Sequence, residues 1–123
     1  MSATAASKGM MSERTMHTPP LSGSQVVRKF FDSLARAQMV DALDLVATDA
    51  VLRDEKDHES RGIRAIATSL LPYRKPESIT LDRIETAGSD VQAFFRNNRS
   101  QRRRGVFTVD GGRIRAIRLE RDV

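Results

Sequence analysis

The chain predicts an α+β domain: three N-terminal helices packed on a curved antiparallel sheet. Three observations lead there. Apolar spacing is helical up to Leu71, it changes to period two after Pro76, and two of the resulting strands break that period. The first helix is expected from an N-cap at Ser24 to about Gln38, with Val27, Phe30, Phe31, Leu34 and Ala35 forming a broad apolar stripe. A second starts at Asp41 and turns Leu43, Val46 and Ala47 inward. A third runs from about Gly62 to Leu71, with Ile63, Ile66, Ala67 and Leu70 on one face, and Pro72 closes it. Ile79-Leu81-Ile84, Val91-Ala93-Phe95, Gly105-Phe107-Val109 and Ile114-Ile117-Leu119 then mark four strands of an antiparallel meander. Gly88-Ser89-Asp90 and Asp110-Gly111-Gly112 supply turns, and the polar run Asn97 to Gln101 makes a longer connection. Where Leu81–Ile84 and Ile114–Ile117 are spaced by three, a β-bulge absorbs the extra residue and bends the strand. Two such bends curl the sheet into a cone, with the helices on its concave side, and a cone is a natural small-molecule pocket.

Composition narrows the classes. A chain of 123 residues, 39% apolar and 30% charged, builds one domain with one core. No stretch approaches the roughly 18 apolar residues that cross a membrane. Residues 1–23 are rich in Ser, Thr, Ala, Met and Pro without a sustained apolar run; they read as a disordered tail rather than a secretory signal, leaving 24–123 as the domain. Absence of cysteine rules out disulfides and thiolate chemistry, and cytoplasm is the default location. No metal or cofactor is expected: there are two histidines, one of them (His17) in the tail, no Gly-rich phosphate loop and no serine in an elbow motif.

The net charge of +5 is uneven, with seven basic against nine acidic residues in 1–60 and fourteen against seven in 61–123. The excess peaks at Arg96, Arg99, Arg102, Arg103 and Arg104, a patch that suits either an anionic partner or a solvated hairpin tip. With no aromatic residue between Asn97 and Val106 there is no base-stacking platform, which argues against nucleic acid.

The residue with most chemical promise is Asp54, just past the apolar run Ala50-Val51-Leu52. At the mouth of an apolar cavity its charged form would be desolvated and its pKa raised into the range of a general base; in a solvated loop it is only a capping acid. His58, four residues on, titrates near neutrality and is the candidate partner, although its polar loop equally suits a solvent-facing ring. Tyr73, following Pro72, reaches the cavity rim or caps the core with its hydroxyl in water. Phe95 and Phe107 face the concave side as core, and line a pocket if the cone is unfilled. Phe94 is expected on the convex face, where an exposed phenylalanine with an arginine border suggests a homodimer interface.

Several segments together carry a resemblance: Val26 to Leu34 in the first helix, Thr48-Asp49-Ala50-Val51-Leu52-Arg53-Asp54 after the second, Arg61-Gly62-Ile63-Arg64-Ala65-Ile66 opening the third, and Asp110-Gly111-Gly112-Arg113-Ile114 at the last hairpin. In order and spacing they resemble the nuclear transport factor 2-like superfamily, which includes SnoaL-like cyclases, ketosteroid isomerases and limonene epoxide hydrolases. The resemblance implies a cone-shaped α+β barrel, a homodimer and a small apolar organic ligand. It matches Asp54 to the proton-shuttling carboxylate of the isomerases. Phe30 stands where they keep an oxyanion-stabilising tyrosine, and Gly105 near their protonated acid, so the donors that stabilise an enolate are missing and steroid isomerase activity is not expected. Two readings follow. One is an isomerase, cyclase or hydrolase with Asp54 as acid–base group and Phe30, Tyr73, Phe95 and Phe107 shaping the substrate site. The other is a non-catalytic ligand-binding or dimerisation module.

Overall fold

The first helix, α1 (Gly23–Ala35), begins two residues earlier than a cap at Ser24 would allow. Ser22 is the N-cap: its hydroxyl accepts the Gln25 amide, and the Gln25 side chain accepts the Ser22 amide in return. This computed structural model describes residues 22–122, so the expected tail up to Leu21 lies outside the described residues. The helix also ends earlier than Gln38. Ala37 takes a left-handed φ of 59°, and the amides of Ala37 and Gln38 return to the carbonyls of Leu34 and Ser33. That is the hydrogen-bond pattern of a Schellman cap, built on alanine rather than glycine.

After the short α2 (Met39–Leu43) the chain departs from expectation. Val46 and Ala47 belong to a strand, β1 (Val46–Arg53), which turns back into β2 (Glu59–Arg61) before α3 (Ile63–Ser69) and a 3-10 turn at Leu71–Tyr73. The expected meander follows as β3 (Ile79–Ala87), β4 (Asp90–Asn97), β5 (Arg102–Asp110) and β6 (Arg113–Arg121). All six strands form one sheet in the order β2-β1-β6-β5-β4-β3. Its β1–β6 pair is parallel, so the sheet is mixed rather than wholly antiparallel, and no pairing of β2 with β3 closes it. Both expected bulges are present. The β3–β4 register jumps between Leu81 and Arg83, leaving Asp82 as the extra residue, and Arg115 is skipped where Val109 pairs Ile114 and Thr108 pairs Ala116. Fold class thus stands as α+β, three helices on a curved sheet.

The core lies between α1 and the concave face, where Val26, Val27, Phe30, Phe31 and Leu34 meet Phe95, Phe107, Ile114 and Ile117, all buried. The opposite face carries rows of paired charge: Arg53 and Arg61 on Glu59, Arg104 and Arg118 on Glu120, Arg83 on Glu85, and a bidentate Arg96–Asp82 pair. Phe94 lies outside the core cluster but is not exposed: only 7% of it is accessible, because the Arg83 guanidinium stacks 3.9 Å from its ring centroid. Among the described residues no helix is long and apolar enough to cross a membrane.

Candidate functional site

The cone opens between the β1–β2 connection, the 3-10 turn and the start of β5. Its mouth is a recess of about 320 Å³ bordered by Asp54, Glu55, His58, Tyr73, Arg103 and Leu119 among others. Beneath it, Tyr73 and Leu119 form a floor, since both also line a small void inside the cone. That void measures about 10 Å³ and has a wholly apolar lining that includes Phe30, Phe31, Leu52 and Phe95. Room for roughly one water, without polar partners, leaves it dry.

Aromatic packing explains why so little space remains. The Phe107 ring lies 5.8 Å from Phe30 and 5.7 Å from Phe31, and Phe31 lies 5.1 Å from Phe95, centroid to centroid. Tyr73 closes the cluster edge-on to Phe95 at 6.5 Å. The structure therefore brings Phe30, Phe95 and Phe107 together as mutual packing partners and sets Tyr73 alone of the four at the mouth. Gly105 has a steric reason: a Cβ there would come within 2.6 Å of Phe107 Cε1. No acid could occupy that position while the ring stands where it does.

Asp54 occupies the rim. Its Oδ1 accepts the amides of Lys56 and His58, each at 2.9 Å, and its own amide and carbonyl bond to the His58 carbonyl and the Asp57 amide. The His58 amide above all, together with that of Lys56, favours the charged carboxylate and holds its pKa below the usual range against the opposing effect of burial. A carboxylate so stabilised is a weaker base than a free one. Its Oδ2 lies 3.6 Å from His58 Nδ1, but that side chain is 76% exposed and the Asp54 side chain 38%. Because the folded pKa is depressed, the carboxylate contributes stability that is complete above about pH 4 and lost as pH falls through the folded value. Asp54→Asn keeps an acceptor for both amides and should lose less stability than wild type in urea unfolding between pH 5 and pH 2.5.

Glu55 turns over the mouth and pairs with Arg103 Nε, the two side chains being 27% and 17% exposed. Desolvation raises the Tyr73 pKa, and the negative charge of Glu55 adds to that while Arg103 opposes it, so the phenol stays neutral. Sequence reasoning counted Arg103 only in the arginine-rich patch and did not pair it with Glu55. For Arg103 the signal was there, since on β5 it shares parity with the inward Gly105 and Phe107; Glu55 lies past the end of β1, in a turn that strand alternation does not reach. Of the arginine-rich run, Arg96, Arg103 and Arg104 are each bonded to an acid, while Arg99 and Arg102 are exposed.

Comparison with known proteins places this architecture. No protein-family model and no curated protein sequence matches the chain. Solved structures do. A nuclear transport factor 2-like protein of unknown function from Cytophaga hutchinsonii superposes with a TM-score of 0.71 at 14% identity, covering 87% of this chain and 95% of its own. The chain has the nuclear transport factor 2-like fold. A putative polyketide cyclase from Sinorhizobium meliloti shares this nuclear transport factor 2-like fold at a TM-score of 0.67 and 19% identity, over 78% of this chain and 94% of the cyclase. An LEH-like epoxide hydrolase from M. tuberculosis does so at 0.61 and 23% identity, over 80% of each chain. At such identities the likeness fixes the nuclear transport factor 2-like scaffold and leaves the chemistry to the site.

Proposed function

We propose that the chain is a non-catalytic SnoaL-like module that binds an apolar organic ligand at the mouth of its cone. The observation carrying this reading is the filled interior: a void of about 10 Å³ admits no substrate, while the recess of about 320 Å³ above Tyr73 and Leu119 is of ligand size. In the catalytic alternative, Asp54 with His58 moves a proton in an isomerase, cyclase or hydrolase reaction, and Phe30, Tyr73, Phe95 and Phe107 hold the substrate. Against it stand the amide bonds that lower the basicity of Asp54 and its position outside the apolar cone.

A panel of small apolar carbonyl compounds, epoxides and esters, read by thermal shift on wild type and Asp54→Asn, separates the two. Equal stabilisation of both proteins with no turnover is the expected result. Turnover by wild type that Asp54→Asn loses, with binding kept, would establish Asp54 as catalytic instead. A homodimer through the outer face of the sheet belongs to the same proposal, because alternating arginine and acid rows are complementary to themselves under a two-fold rotation. Light scattering that gave a monomer at micromolar concentration would remove it.

A further inference from the structure

We infer that the ligand of the mouth carries a carboxylate, and that Glu55 holds the ligand's place on Arg103 until it arrives. The inference rests on the mouth being the binding site. Arg103 is an inward-facing cation at the lip of an apolar cone, 17% exposed. A guanidinium keeps its charge at any ordinary pH, so one withdrawn from water this far needs an anion, and its planar fork fits a carboxylate. In this structure Glu55 supplies that carboxylate.

The two partners are not held alike. Arg103 is fixed from its own strand end: Nη1 donates to the Arg102 carbonyl at 3.1 Å and Nη2 to Gln101 Oε1 at 3.2 Å. Glu55 projects from the connection between β1 and β2, whose backbone is organised by the Asp54 carboxylate, not by Glu55. The donor is anchored and the acceptor can be exchanged. A ligand whose carboxylate takes the place of Glu55 lays its hydrocarbon part on Tyr73 and Leu119, which floor the recess. Glu55 is then an internal competitor. Being tethered, it acts at an effective concentration in roughly the millimolar range, and it lowers the apparent affinity in proportion to the time it occupies Arg103.

NMR titration of the full chain with hexanoate and hexanamide tests this, since the two probes share a hydrocarbon tail and differ in charge. Glu55→Gln is expected to bind hexanoate roughly tenfold more tightly than wild type, Arg103→Gln to lose hexanoate, and hexanamide to be indifferent to both changes. Arg103→Lys keeps the charge without the fork; weakened hexanoate binding in that variant carries the test if Arg103→Gln does not fold. Equal affinity for the two probes in every variant would overturn the carboxylate inference and leave the mouth a binding site. Hexanoate bound no more tightly by Glu55→Gln would overturn the competitor role. Shifts with neither probe in any folded variant would overturn the carboxylate inference together with the reading on which it rests.

Discussion

Phe107→Ala is expected to cost about 3–5 kcal/mol of stability. Phe107 is 1% exposed and lies against both Phe30 and Phe31, so its removal leaves a hole that two neighbouring rings border and neither can fill without leaving the other. A domain of this size has about 5–15 kcal/mol in all, and each kcal/mol moves the midpoint by about 4–8 °C. The variant should therefore melt more than about 12 °C below wild type. Urea and thermal unfolding measure it. A loss under about 1 kcal/mol would mean that the rings of the cone are loosely packed, and the filled-cone basis of the binding reading would go with it.

Gly105→Ala is the second large effect, at about 1–3 kcal/mol. Gly105 has no unusual backbone angle, so alanine suits the strand itself and would by conformation alone be favoured there. The loss arises from contact: the new Cβ meets Phe107 Cε1 at 2.6 Å and Cζ at 3.3 Å, and the ring is pinned from behind by α1. A double-mutant cycle isolates this cause. Gly105→Ala combined with Phe107→Leu should be less destabilised than the sum of the single changes by about 1 kcal/mol; strict additivity would place the cost of Gly105→Ala elsewhere.

Much of this fold is legible in the residues, and the misreadings have physical causes. The four meander strands and both bulges could be read because a break in period two is visible wherever Leu81 gives way to Ile84 or Ile114 to Ile117. Strand β1 could not. Its pairing with β6 is irregular between Val46 and Val51, and the buried residues Val46, Ala47 and Ala50 with Leu43 before them fall at i, i+3, i+4 and i+7. That is helical spacing produced by a distorted strand. The end of α1 escaped notice because its left-handed cap is Ala37, where glycine would have announced it. At the site, apolar spacing correctly set Phe95 and Phe107 inward. It is silent on which acid of the Asp54-Glu55 pair turns over the mouth, because a turn residue's direction depends on the hydrogen bonds it makes, here those of Asp54 to two amides.

The parallel pairing of β1 with β6 orders events during synthesis. β6 is made after the other five strands yet sits inside the sheet, flanked by β1 and β5. Until residues 113–121 leave the ribosome, the β1–β2 hairpin has no neighbour and the β3–β5 meander ends in an unfilled edge at β5. Nascent chains thus carry two unsatisfied strand edges that can pair with other polypeptides, and β6 joins the halves in a single late event governed by long-range contacts. Among the described strands it is therefore β6, the one made last, whose docking closes the interval in which the nascent sheet is most open to aggregation.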